Sequence, residues 1–162
     1  IFMIRTFVAI DLPEDVRADL VSVMSDLGRE IRGVRWVRPE GLHLTLKFLG
    51  DIDEKTVPPL AGELDAVARG CRPLNLSVEG LGAFPDARRP RVIWAGLSGD
   101  LAVLGDLASR VDRVCTSFGV KPEKRPFRAH ITIGRLKVPT MVNLNKELRN
   151  KGFLATEIVF PA

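Results

Sequence analysis

The chain has 162 residues, of which 46% are hydrophobic and 27% are charged, and its formal net charge is +4. These values are typical of a globular protein and exclude disordered and fibrous chains, and the length predicts one domain over residues 1–162, or two small lobes that share a core. No segment has the roughly 18 uncharged apolar residues of a membrane span. Arg5 and Asp11 interrupt the N-terminal apolar stretch, which is unlike a signal peptide. We therefore expect a cytoplasmic, monomeric protein without membrane contact.

The first half of the chain is predicted to alternate strands and helices. Residues 5–10 are an apolar run typical of a buried strand. Asp11 with Glu14 predicts a capping box, with Pro13 in the first turn of a helix that continues to residue 31. A second helix is predicted over residues 57–69, because two prolines fit only its first turn and Gly70 suits its C-terminal cap.

Between these helices, residues 42–48 alternate strictly between apolar and polar side chains. This period of two predicts a half-buried strand. It places the leucines and Phe48 on one face, and His43, Thr45 and Lys47 on the other.

The second half of the chain is also predicted to alternate strands and helices. Strands are predicted over residues 74–78 and 92–95, joined by a long loop rich in glycine, proline and arginine, and a helix over residues 101–118. A basic connection over residues 121–128 leads to a strand over 130–135, where His130 and Thr132 share the polar face. A short helix near residues 142–151 and a strand over 157–160 complete an α+β or α/β chain with antiparallel pairing.

The two histidines of the chain are the strongest functional signal. Each is followed two positions later by a threonine, as His43-x-Thr45 and His130-x-Thr132. A single pair of this kind is usually the polar face of a sheet, with the histidine bonded to a carbonyl. The duplication favours function, because a structural histidine has no reason to recur with the same partner.

Two imidazoles and two hydroxyls around one small volume suit acid–base catalysis at phosphorus. A neutral imidazole can accept a proton from water while an imidazolium protonates the leaving oxygen. Threonine hydroxyls can donate to the phosphoryl oxygens. Arg135 and Lys47 are candidate phosphate contacts or solvated charges. A metal site is disfavoured, because only Asp51 and Asp53 lie near His43 in sequence and Cys71 and Cys115 are predicted to be buried thiols.

Arginine supplies 17 of the 24 basic residues. Its planar guanidinium pairs with phosphate oxygens through two parallel hydrogen bonds. Several arginines cluster within residues 29–38 and 88–91. Each cluster is compatible with a solvated surface and with a phosphate-binding patch, and the sequence leaves this choice open.

The sequence resembles the two-histidine phosphoesterase superfamily, and within it the bacterial and archaeal RNA 2′,3′-cyclic phosphodiesterases first described as 2′-5′ RNA ligases. The resemblance covers nearly the whole chain. It rests on segments 5–13 (RTFVAIDLP), 35–37 (RWV), 43–50 (HLTLKFLG), 80–85 (GLGAFP), 91–96 (RVIWAG) and 125–133 (RPFRAHITI). Ala129 departs from the family, which usually has proline before the second histidine, and the chain ends at residue 162, where relatives commonly continue.

The resemblance implies a bilobal α+β fold in which two pseudo-symmetric lobes with antiparallel sheets surround a central cleft. It implies hydrolysis of RNA 2′,3′-cyclic phosphate ends, including those of tRNA fragments, to a 2′-phosphate without metal or nucleotide cofactor. His43 would be the proton donor and His130 the proton acceptor. Thr45 and Thr132 would bind the phosphate, with Arg135 near it. Some relatives also form 2′-5′ linkages without ATP.

Two alternatives stay open. The same machinery could act on small cyclic nucleotides or on ADP-ribose cyclic phosphate, or the chain could be a non-catalytic RNA- or nucleotide-binding module. Two intact motifs disfavour the module.

Overall fold

The computed structural model describes residues 1–144, 152–155 and 158–159. Its helices are α1 (Glu14–Glu30), α2 (Val57–Arg69) and α3 (Leu101–Ser117). Its strands are β1 (Met3–Asp11), β2 (Val34–Trp36), β3 (His43–Asp53), β4 (Leu74–Phe84), β5 (Val92–Gly99), β6 (His130–Leu136), β7 (Gly152–Ala155) and β8 (Ile158–Val159).

The strands form two antiparallel sheets. One sheet has the order β3-β1-β8 and the other has the order β2-β6-β5-β4-β7. Each sheet contains a pair of antiparallel neighbours with a helix between them in the chain: β1 and β3 are separated by α1 and β2, and β5 and β6 are separated by α3. Buried side chains of both sheets and all three helices share one hydrophobic core. The predicted α+β fold with two pseudo-symmetric halves is confirmed.

Several sequence predictions agree closely with the structure. The second helix spans Val57–Arg69, as predicted, with prolines at its first positions and Gly70 at its C-cap. The third helix ends one residue early, and Gly119 follows it with a φ of 91°. The strands predicted over residues 5–10 and 130–135 are present and slightly longer.

The predicted capping box at α1 is wrong. The N-cap residue is Pro13, and no side chain caps the helix. Asp11 is the last residue of β1, and its carboxylate lies 2.9 Å from the guanidinium of Arg17. Arg17 also pairs with Glu14 at 2.7 Å. Both acidic side chains of the predicted box therefore bind one arginine of the first helical turns instead of capping the helix, and Asp11 also accepts a hydrogen bond from the backbone N–H of Leu12, which precedes the helix.

The glycine-rich stretch after residue 78 was predicted as loop, but β4 continues through it to Phe84. The pairing of β4 with β5 is interrupted by an irregularity after Val78, where Gly80 has a φ of 79°. Glycine lowers strand propensity, which explains the error. In β4, Gly82 leaves space for the ring of Trp94 on β5, since a Cβ at this glycine would collide with the indole.

Strands β2 and β7 were not predicted, because three or four residues are too few to show a period. Residues 142–144 have no regular secondary structure, and the rest of the helix predicted to residue 151 lies outside the described residues. The final strand is confirmed at Ile158–Val159. Both cysteines are free thiols, Cys115 buried and Cys71 half-buried. Within the described part of the chain, no helix has the length and hydropathy to span a membrane.

Candidate active site

The two His-x-Thr motifs lie on the cleft side of the two sheets. His43 and Thr45 belong to β3, and His130 and Thr132 belong to β6, which packs against β3. All four side chains are partly exposed and line one cavity of about 1030 Å³. The structure therefore brings together two motifs that are far apart in sequence, as the sequence analysis predicts. Their chemical roles stay a prediction.

A one-residue bulge follows the threonine in both motifs. The register of paired Cα atoms skips Leu46 in β3 and Ile133 in β6. A bulge shifts the alternation of side chains by one position. The third residue after each threonine therefore shares the cleft face, and these residues are Phe48 and Arg135. The two halves thus present an aromatic ring and a guanidinium at equivalent positions.

The bulge in β3 corrects the face assignment for residues 47 and 48. Phe48 was predicted to be on the apolar face, but its side chain lines the cleft and the residue is 60% exposed. Lys47 was predicted to be on the polar face, but the residue is 5% exposed. Polar and apolar residue types keep alternating through this segment, but the faces to which the side chains point do not, because of the bulge.

The ammonium group of Lys47 has protein partners on three sides. Its Nζ lies 2.6 Å from a carboxylate oxygen of Asp112 on α3, donates to the carbonyl of Lys121 at 2.8 Å and lies 3.8 Å from Glu123. Lys47 borders the cavity, yet its charged group is already bound by α3 and by the segment after it. We therefore assign Lys47 a structural role and do not include it among the phosphate contacts proposed below.

Each histidine ring packs against the ring of a phenylalanine. The His43 and Phe7 centroids are 5.7 Å apart, and those of His130 and Phe84 are 5.1 Å apart, both in edge-to-face geometry. The guanidinium of Arg128 lies 4.7 Å from the centroid of Phe84. Aromatic contacts of this kind limit the orientations of the imidazoles. Both phenylalanines line the cavity.

The two imidazoles differ in their hydrogen bonding. His130 Nδ1 lies 2.6 Å from the carbonyl oxygen of Arg128, which can only accept, so Nδ1 carries the proton and donates. In the neutral ring, Nε2 is then left with its lone pair. His43 Nδ1 is buried and has no hydrogen-bond partner among the described residues. Only His130 therefore has a tautomer set by the backbone.

Arg135 is the phosphate contact predicted on β6, a role that stays a prediction. It is exposed, lines the cavity and follows Thr132 on the cleft face of β6. Three further arginines border the same cavity: Arg91, Arg125 and Arg128. The Arg91 guanidinium donates to the carbonyl of Lys137 at 2.9 Å. The cleft thus combines two imidazoles and two hydroxyls with several positive charges, which suits an anionic substrate.

Sequence reasoning did not assign roles to Phe7, Phe84 and Arg128, although these residues contact the histidines or their neighbours. The two phenylalanines lie on strands remote in sequence from the motif they contact, so no local spacing reveals them. Arg128 is two residues before His130, and the role of its carbonyl depends on the backbone conformation rather than on the residue type. In the described part of the chain, no cluster of three or more His, Cys, Asp or Glu residues could hold a metal ion.

Comparison with known proteins identifies clear relatives. A model of the family described as LigT like Phosphoesterase matches residues 10–94 and 99–159. A protein of Methanothermobacter thermautotrophicus named RNA 2′,3′-cyclic phosphodiesterase is 34% identical over 151 residues, which is 91% of this chain and 81% of that protein. A protein of Aquifex aeolicus with the same name is 33% identical over 148 residues, 91% of this chain and 78% of the relative.

Solved structures show the same fold. A crystal structure of a Thermus thermophilus protein superposes with a TM-score of 0.84 at 30% identity, covering 97% of this chain and 87% of the other. The crystal structure of E. coli LigT complexed with 3′-AMP superposes with a TM-score of 0.79 at 26% identity, covering 98% of this chain and 87% of the other.

Proposed function

Because this chain belongs to the LigT-like phosphoesterase family, we propose that it hydrolyses the 2′,3′-cyclic phosphate at an RNA 3′ end to a 2′-phosphate. Its curated relatives are named for this phosphodiesterase activity. The observation that carries the proposed mechanism is the pair of histidines in one cleft, of which only His130 has its Nδ1 bonded to a backbone carbonyl.

In the proposed reaction, His130 acts as the general base. Its Nε2 accepts a proton from water, whose oxygen forms a bond to phosphorus. The bond between phosphorus and the 3′ oxygen breaks, and His43 donates a proton to that oxygen. The products are a 2′-phosphate and a free 3′-hydroxyl. The hydrogen bond from His130 to the Arg128 carbonyl supports the role of base, because it leaves the lone pair of Nε2 free.

The remaining side chains of the cleft stabilise the phosphate in this proposal. Thr45 and Thr132 donate to its non-bridging oxygens, and Arg135 pairs with the charge that these oxygens carry. Hydrogen bonds to a charged group contribute about 1.5–3 kcal/mol each. The reaction uses neither a metal nor a nucleotide cofactor. A ribose hydroxyl in place of water would give the 2′-5′ ligation suggested by the family resemblance.

The test is an assay with an RNA oligomer that ends in a 2′,3′-cyclic phosphate. Purified, chelator-treated protein is expected to convert it to the 2′-phosphate, resolved from the 3′-phosphate by chromatography. His43→Ala and His130→Ala should each lower the rate by about 10² to 10⁴. The pH profile of the wild-type rate should be bell-shaped, because one imidazole must be neutral while the other is charged.

Thr116→Ala is the matched control, since Thr116 is exposed on α3 and its hydroxyl bonds only within the helix. It should retain the wild-type rate, and all variants should keep the wild-type circular dichroism spectrum. Formation of the 3′-phosphate, or full activity in either histidine variant, would contradict the mechanism. Binding without turnover would favour the non-catalytic module.

A further inference from the structure

Two arginines lie directly opposite each other at the edge of the larger sheet. Arg35 on β2 pairs with Arg135 on β6 in the antiparallel register. Directly opposed residues on neighbouring strands have their Cβ atoms about 4.5–5.5 Å apart on the same face, and like charges there are destabilising. Both residues are exposed. This position therefore concentrates two positive charges.

The neighbours of Arg35 show which face of the sheet it occupies. A Cβ at Gly28 of α1 would lie 3.3 Å from the indole nitrogen of Trp36, so Trp36 faces the helix. Side chains alternate along a strand, which places Arg35 on the opposite face. Val37, two residues further on, lines the cavity, as does Arg135. Arg35 therefore lies on the cleft face, beside the site.

The charges of this pair are not neutralised within the described part of the chain. Neither Arg35 nor Arg135 has an ion pair or a side-chain hydrogen bond there, whereas the guanidiniums of Arg17 and Arg29 both pair with carboxylates. Like charges that lie directly opposite each other on neighbouring strands are destabilising. Two neighbouring phosphates of one RNA strand would relieve this repulsion, because each guanidinium can pair with phosphate oxygens.

The order of groups across the sheet indicates which phosphate Arg35 contacts. His130 and Thr132 are followed on β6 by Arg135, and Arg35 lies one strand further, on the edge strand. Arg35 is therefore the basic side chain next to Arg135 on this face, available to a second phosphate when the cyclic phosphate occupies the histidines and threonines. A cyclic mononucleotide that lacks a 5′-phosphate has no group for this position.

We infer that Arg35 binds the phosphodiester on the 5′ side of the terminal nucleotide, next to Arg135, which pairs with the terminal phosphate in the proposed reaction. The inference rests on the proposed function and narrows its substrate class to RNA ends with at least one internucleotide phosphate. Arg35 thus acts as a specificity residue that favours RNA over small cyclic nucleotides.

The experiment compares three substrates: adenosine 2′,3′-cyclic phosphate, the dinucleotide ApA with a 2′,3′-cyclic phosphate, and the same dinucleotide with an uncharged methylphosphonate linkage. Wild-type kcat/KM should be highest for the natural dinucleotide. Arg35→Met should lower the ratio of kcat/KM for the dinucleotide to that for the mononucleotide by about 5- to 10-fold, as expected for a partly solvated charge-assisted contact. Arg35→Lys should lower it less, because the charge is kept.

Salt dependence gives a second readout. Each phosphate contact of a single strand contributes a slope of about −0.7 to a plot of log affinity against log salt concentration. The slope of log kcat/KM for the natural dinucleotide should become shallower by about this amount in Arg35→Met. Arg110→Met is the control of equal charge change, because Arg110 is exposed on α3 and borders a different, smaller pocket. It should leave both the ratio and the slope as in wild type.

Each possible result decides a different claim. Equal wild-type kcat/KM for the natural and methylphosphonate dinucleotides would overturn the inference about Arg35, while turnover of either would leave the proposed function standing. An unchanged substrate ratio in Arg35→Met would also overturn it. If wild-type protein turns over none of the three substrates, the proposed function fails, and the inference fails with it.

Discussion

Replacing Lys47 by methionine removes a buried ammonium while it keeps most of the aliphatic chain. In the folded protein this ammonium lies 2.6 Å from Asp112 and 2.8 Å from the carbonyl of Lys121. The Lys47 side chain is 4% exposed and that of Asp112 is 22% exposed. The variant therefore leaves a carboxylate that water can reach only in part.

The expected loss of stability follows from these exposures. Removing one partner of a fully buried ion pair costs about 3–5 kcal/mol, whereas exposed pairs contribute about 0–1 kcal/mol. Asp112 is partly solvated and keeps a hydrogen bond from the backbone N–H of Glu123 at 3.1 Å. An intermediate value of about 2 kcal/mol follows, which corresponds to a fall in Tm of about 4–8 °C for a chain of this size.

The assay is urea unfolding of four proteins: wild type, Lys47→Met, Asp112→Asn and the double variant. The double-mutant cycle should give a coupling energy of about 1–2 kcal/mol, with the same m-value throughout. Lys55→Met is the control, because Lys55 is exposed and its loss should change stability by less than about 0.5 kcal/mol. A loss below this limit in Lys47→Met, or zero coupling, would refute the assignment of Lys47 to the interior.

Two further predictions concern residues near the sheets. Gly134→Ala should lower the free energy of unfolding by about 1–3 kcal/mol, because the added Cβ would lie 2.6 Å from Val34 and 3.0 Å from Trp36; wild-type stability in urea would contradict this. Burial raises the pKa of Cys115 to about 11. The folded thiol thus stays protonated after the unfolded one ionises, so the stability that this group contributes is complete below about pH 9 and is lost as the pH rises through about 11. The stability of wild type relative to Cys115→Ala should therefore fall across this range, and a constant difference would contradict the prediction.

Short-range patterns in the sequence were sufficient for α2, for most of α1 and α3, and for the two motifs. The prolines and Gly70 at the ends of α2 act locally, so its bounds follow from residue type. The period of two in each motif likewise places His43 with Thr45 on one face without knowledge of the neighbouring strand. The capping box is absent because Asp11 still belongs to β1 and Pro13 is the N-cap residue, and the two carboxylates pair with Arg17.

The sequence by itself thus determined the chemistry that the protein has available, two imidazoles with two hydroxyls, and the faces on which they lie. Only the tertiary structure decided which other side chains lie beside these groups in the cleft. The bulges that turn Phe48 and Arg135 into the cleft arise from pairing with β1 and β5. Arg35 and Arg135 lie opposite each other on two strands from different parts of the chain. Such features depend on register between distant strands, which no local residue pattern encodes because the side-chain period is the same whichever partner a strand has.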